Sequence, residues 1–91
     1  MSGIHKRSVE IVNRRGLHAR ASAKFVKTAA RFDANVTVAK DGTEVVGTSI
    51  MGLMLLAAAP GDRIEIRCNG TQAKAALDAL TTLVADRFHE D

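Results

Sequence analysis

The chain has no tryptophan, no tyrosine and only three phenylalanines among 91 residues. Its core must therefore be built from Val, Ile, Leu, Ala and Met, and a surface that stacks nucleic-acid bases on aromatic rings is disfavoured. A single cysteine, Cys68, excludes an internal disulfide and a thiol-based metal cage, and leans toward a reducing compartment. The longest apolar run, Ile50 to Ala59, falls well short of the roughly 20 residues of a membrane helix. Met1 to Arg7 lacks the apolar stretch of a signal peptide. These absences lead us to expect a soluble, cytoplasmic protein without membrane insertion. There is no nucleotide-type glycine-rich loop, no Ser-His-Asp arrangement and no histidine pair at metal-ligand spacing. No metal and no cofactor are expected.

What is present points to one globular domain over residues 1–91. Nearly half of the residues are apolar and a quarter are charged, a globular composition. The net charge of +3 favours an acidic partner without implying nucleic acid.

Periodicity divides the chain into seven elements. Val9 and Ile11 alternate with Ser8 and Glu10, the pattern of a half-buried strand. Asn13 to Gly16 is a polar loop. Residues 19–31 are alanine-rich and free of Gly and Pro, which predicts a helix burying Ser22, Phe25, Val26 and Ala29. Asn35 to Lys40 and Thr43 to Val46 read as strands joined at Asp41-Gly42, two residues that tolerate positive φ. Ser49 caps a short helix from Ile50 to Leu56. After the turn Pro60-Gly61-Asp62, Arg63 to Cys68 alternates as a strand. Thr71 is the expected cap of a long amphipathic helix carrying Ala73, Ala76, Leu77, Leu80, Leu83 and Val84 on one stripe. The charged residues after Phe88 are expected to fray. The order β-α-β-β-α-β-α predicts an α+β fold with one sheet face under the helices and the other in water.

His18 stands apart from His5 and His89, which read as solvated surface residues. It sits in Gly16-Leu17-His18-Ala19-Arg20, where loop becomes helix. Histidine is a poor N-cap, and a local rule broken at one position often marks function. The ordinary alternative is a half-exposed loop histidine. Free N–H groups of a first helical turn attract anions, and Arg20 adds a fork of donors. The positive surroundings favour a neutral, nucleophilic ring.

Arg20, Lys24, Lys27 and Arg31 follow at helical spacing, either a solvated face or a docking face for an acidic partner. Ile50, Met51, Leu53, Met54, Leu55 and Leu56 crowd a helix too short to bury them all, so an exposed apolar patch competes with a fully buried helix.

At Gly16-Leu17-His18-Ala19-Arg20-Ala21-Ser22 the sequence resembles the HPr family, the phosphocarriers of the bacterial phosphotransferase system. Ser49-Ile50-Met51-Gly52-Leu53-Met54 resembles the segment around that family's regulatory serine. The resemblance implies an open-faced β-sandwich with a four-stranded antiparallel sheet under three helices. It implies phosphoryl acceptance on His18 Nδ1 from enzyme I and delivery to enzyme IIA proteins, with Arg20 assisting. It implies that Ser49 is a target of HPr kinase/phosphorylase where one exists, and that Lys24, Lys27, Ile50, Met51 and Met54 contact partners. Such a carrier is a substrate of other enzymes rather than an enzyme itself. Ala21 stands where the family usually has Pro; helix propensity is kept, while the ring's stiffening of the first turn is lost. Two other readings remain: a carrier of the nitrogen-related branch of the same system, and a small basic nucleic-acid-binding module.

Overall fold

A computed structural model describes residues 3–90; Met1, Ser2 and Asp91, the outer ends of the polar N-terminal stretch and of the charged stretch after Phe88, lie outside the described residues. Two-residue alternation produces the sheet. β1 (His5–Glu10), β2 (Asn35–Lys40), β3 (Thr43–Val46) and β4 (Arg63–Asn69) pair antiparallel in the order β1-β4-β2-β3. The register sets Val38 opposite Ile66 and Val36 opposite Cys68. That places Val36, Val38, Ile64, Ile66 and Cys68, all buried, on one face. The other face carries charge: Arg67 bridges Glu65 and Glu44, and Arg63 bonds Ser8.

α1 (Ala19–Ala29), α2 (Ile50–Leu55) and α3 (Ala73–Ala85) complete the expected α+β order. α3 lies over β1 and β4 and packs beside α1, while α1 packs on α2. The buried side chains of the described residues form one cluster, with Phe25, Leu53, Leu80 and Phe88 among its largest members.

Several expectations need correction. β1 ends at Glu10, and Ile11 lies beyond it, buried through paired bonds with the turn before β4: its N–H donates to Asp62 O, and Gly61 N–H donates back to Ile11 O, both at 2.8 Å. α1 stops at Ala29, two residues early, because its last turn tightens as Arg31 N–H reaches Thr28 O. Ala21 is fully buried, whereas Val26 is only partly so. Gln72, not Thr71, precedes α3; the Thr71 hydroxyl turns to Asp33 instead. The described residues after α3 fold back as a turn rather than trailing off as a loose tail. Arg87, Phe88 and His89 form a tight left-handed turn, with φ of 57°, 55° and 61°, which drives Phe88 into the core.

Candidate functional site

The loop between β1 and α1 is fastened at both ends. Leu17 N–H donates to Ala58 O at 3.0 Å, and the buried Ser22 hydroxyl donates back to Leu17 O at 3.1 Å. Gly16 has φ +66°, and a Cβ there would collide with Ala58 O. Glycine is needed for both the left-handed backbone and the close approach. His18 is thereby delivered to the N-cap position of α1. Its backbone is extended (φ −72°, ψ 178°), its carbonyl accepts from Ser22 N–H at 2.8 Å, and its ring makes no capping bond. The amides of Ala19, Arg20 and Ala21 then have no intrahelical acceptor, the ordinary state of a first helical turn. Arg20 is exposed.

The ring itself is held from an unexpected direction. His18 Nε2 lies 2.7 Å from Glu90 Oε2, across 72 residues of sequence, with 15% of the histidine side chain accessible. Glu90 Oε1 accepts from Asn13 Nδ2 at 3.2 Å, and the same amide donates to Gly16 O at 2.8 Å. His18 Nδ1 takes no hydrogen bond from the described residues and is not among their fully buried unpartnered atoms, so it is not sealed from solvent. Burial opposes ionisation of Glu90. The hydrogen bonds from Asn13 and His18, with the charges of His18 and Lys24, outweigh that and hold its carboxyl below the ordinary glutamate value.

The surroundings of His18 are therefore not uniformly positive, as the local sequence suggested: a carboxylate faces one ring nitrogen. Cations gather beside that carboxylate. Arg14, Arg15, Arg20 and Lys24 line a shallow cleft that ends at His89 and Glu90. Arg14, Arg15, Asn13 and Glu90 were not singled out from sequence. The two arginines were visible as a basic pair in the loop. Glu90 carried no local signal.

The described residues hold no cluster of His, Cys, Asp and Glu suited to a metal, and no helix of theirs is long and apolar enough to cross a membrane. Ser49 caps α2 as expected, accepting from Gly52 N–H at 2.9 Å. The crowded helix divides its side chains: Leu53 and Leu56 are buried, while Met51 and Leu55 are 76% and 78% exposed beside Ile50 and Met54. Lys27 is exposed, but Lys24 turns back, its ammonium donating to Phe88 O at 2.7 Å.

A family model described as the PTS HPr component phosphorylation site matches residues 5–86. The chain belongs to the HPr family. This HPr-family chain is 51% identical over 85 residues to the phosphocarrier protein HPr of Neisseria meningitidis serogroup A, covering 93% of itself and 96% of that protein. It is 47% identical over 81 residues to the phosphocarrier protein HPr of Xylella fastidiosa, covering 89% and 91% of the two chains. Among solved structures it resembles HPr-C-His from Thermoanaerobacter tengcongensis, with a TM-score of 0.92 at 37% identity, covering 96% of this chain and 98% of that one. It also resembles a phosphocarrier protein HPr from Bacillus anthracis, with a TM-score of 0.87 at 40% identity over 90% of this chain and 98% of that one. The HPr-type open-faced sandwich is thus the fold. Within it Ala21, at the position where the family usually has Pro, is helical and fully buried.

Proposed function

We propose that this chain is a phosphoryl carrier of the phosphoenolpyruvate-dependent phosphotransferase system, acting as one domain over residues 1–91. His18 Nδ1 attacks the phosphorus carried by phosphorylated enzyme I. The N–P bond forms as the donor's bond to phosphorus breaks, and the electron pair of that bond leaves with the donor. Delivery to an enzyme IIA protein reverses the sense: the N–P bond breaks and its pair returns to Nδ1. The chain is then a phosphorylated intermediate between enzymes, not a catalyst, and it works in the cytoplasm.

The observation that best supports this reading is the unbonded Nδ1 of a histidine that occupies the N-cap of α1 without capping it. A transferred phosphoryl group carries negative charge, which helix N-termini and arginine accommodate. Arg20, exposed beside His18, assists by meeting the phosphoryl oxygens. Partners dock on the exposed apolar side chains Ile50, Met51 and Met54, with Lys27 at the edge. Lys24 contributes charge there while fastened to the 87–90 segment. Ser49 is the regulatory site for an HPr kinase/phosphorylase.

Incubation with enzyme I, Mg²⁺ and phosphoenolpyruvate should add one acid-labile phosphate, and His18→Ala should take up none. Full uptake by that variant refutes the assignment. Sugar uptake is the branch we assign; faster phosphorylation by the enzyme I of the nitrogen-related branch would move the chain there.

A further inference from the structure

We propose that the outer edge of β1 is a self-complementary pairing surface for a second copy of this chain, and that Arg63 is the residue that closes it. The inference is independent of the reading of His18.

β1 stands at one end of the sheet, with β4 on one side only. α3 lies over β1 and β4, and every residue of the strand but Val9 is exposed. In an antiparallel pair, residues alternate between those that exchange bonds with the neighbour and those whose backbone groups point away. Ile11 turns both its N–H and its carbonyl to the Gly61-Asp62 turn that leads into β4. Two-residue alternation then directs the N–H and carbonyl of Lys6, Ser8 and Glu10 outward. Arg63 agrees with that direction, since its Nη2 donates to Ser8 O at 3.2 Å. A row of outward N–H and C=O groups is a template for another strand.

The side chains choose which strand. Antiparallel pairing about a two-fold axis through Ser8 uses all three outward residues and keeps each side chain on its own face of the combined sheet. That register sets Lys6 opposite Glu10 twice. Both lie on the charged face, because in the ladder Lys6 is opposite Arg67 and Glu10 is opposite Arg63. Opposite charges facing each other across strands are stabilising. The same register sets Ile4 opposite Val12 at both ends, two apolar side chains that are 64% and 37% exposed. No like charges meet: Arg7 falls opposite Val9, and His5 opposite Ile11. A shallow groove of about 350 Å³ follows this edge, lined by Ser8, Glu10, Val12, Arg63, Thr81 and Ala85. The strand thus carries its own complement, which singles out a second copy as the occupant.

Arg63 stands in the way. Its Nε donates to Ser8 Oγ at 3.0 Å, and its Nη1 lies 4.0 Å from Glu10 Oε1. One guanidinium therefore holds the carbonyl at the symmetry axis and the carboxylate that Lys6 of a second copy would meet. A charged side chain laid on an edge is a common guard against such pairing.

Sedimentation velocity of the full chain from about 10 μM to about 1 mM tests the proposal, a range that reads weak self-association. Arg63→Ala should associate at least about tenfold more tightly than wild type, since each copy no longer gives up a charge-assisted contact on pairing. Adding Lys6→Glu sets carboxylates opposite each other and should return that variant to monomer. Adding Glu10→Lys as well reverses both charges and should bring the dimer back. Amide hydrogen exchange should then slow at Lys6, Ser8 and Glu10 as concentration rises, and not along β3, the other edge. An Arg63→Ala chain that stays monomeric throughout overturns the pairing surface. Wild type that associates as tightly as Arg63→Ala overturns the guard. A dimer indifferent to the charge reversals, or one that persists for hours on dilution as an exchanged strand would, overturns the register. Phosphorylation of His18 enters none of these readouts, so the two readings fail separately.

Discussion

Gly16 offers a test of how the site is held, because the structure supplies its own control. Gly16 and Gly42 both have positive φ, +66° and +83°. A Cβ at Gly42 would meet nothing within 4 Å, whereas at Gly16 it would collide with Ala58 O and press on Ala59 Cα at 3.1 Å. Placing an L-residue in the left-handed region costs about 1–2 kcal/mol. Stiffening the unfolded chain returns about 0.4–1 kcal/mol. Gly42→Ala should therefore lose about 0.5–1 kcal/mol. Gly16→Ala carries the same terms and must also push away Ala58, the acceptor for Leu17 N–H. Losing that bond adds about 1 kcal/mol, so the variant should lose about 2 kcal/mol.

Urea unfolding of the two variants measures that difference directly. The functional consequence is separate and larger. Displacing Leu17 moves His18, and a misplacement of about 1 Å at a reacting group can cost about 100-fold in rate. We expect phosphorylation of Gly16→Ala by enzyme I to slow at least tenfold at a temperature where it is fully folded, while Gly42→Ala stays at wild-type speed. Equal stability losses in the two variants, or a Gly16→Ala variant that is phosphorylated at full speed, would refute the claim that the contact with Ala58 positions His18.

Leu53→Ala should cost about 2–5 kcal/mol by calorimetry because the side chain is fully buried, whereas Met51→Ala, on the exposed side of α2, should stay within about 0.5 kcal/mol. Burial pushes the Cys68 thiol above its ordinary value, so mass spectrometry should find it unmodified by iodoacetamide in the native protein and rapidly modified in urea. Ser49→Asp should leave the melting temperature nearly unchanged, since aspartate also caps helices, yet slow transfer from enzyme I by placing charge beside the apolar patch, as steady-state kinetics would show. Because the Glu90 carboxyl is held below its ordinary value, its contribution is fully present above about pH 4.3, the unfolded value, and is lost as pH falls through the folded one. Stability curves of wild type and Glu90→Gln measured against pH should therefore converge in acid, and a constant gap down to pH 2 would contradict the contact.

Most of the fold was legible because its determinants are local. The bounds of β2 and β3 follow from alternation and the Asp41-Gly42 turn, the start of α2 from the Ser49 cap though it ends one residue early at Leu55, and the stripe of α3 is buried as read. The misreadings have tertiary causes. Thr71 looked like a cap until Asp33, brought in from the loop between α1 and β2, claimed its hydroxyl. The residues after Phe88 looked like a fraying end because nothing in a run of charged residues announces a buried ring. The same division runs through the site. His18, Arg20 and Gly16 lie within five residues of one another and announce themselves by breaking a capping rule. Glu90 reaches His18 across 72 residues, and no periodicity connects them.

That division has an energetic consequence. Three left-handed residues cost about 1–2 kcal/mol each. Against them stand the burial of Phe88, about 1.5–3 kcal/mol, and the charge-assisted bonds of Lys24 and Glu90, about 1.5–3 kcal/mol each. The two sides differ by only a few kcal/mol, so the 87–90 segment sits close to balance. A segment in that position opens locally before the domain unfolds. His18 is thus held by a rigid loop, and the carboxylate that contacts its ring is carried on the more readily released 87–90 segment. Substitutions from Arg87 to Glu90 should accordingly alter how fast His18 accepts a phosphoryl group long before they alter whether the sheet folds.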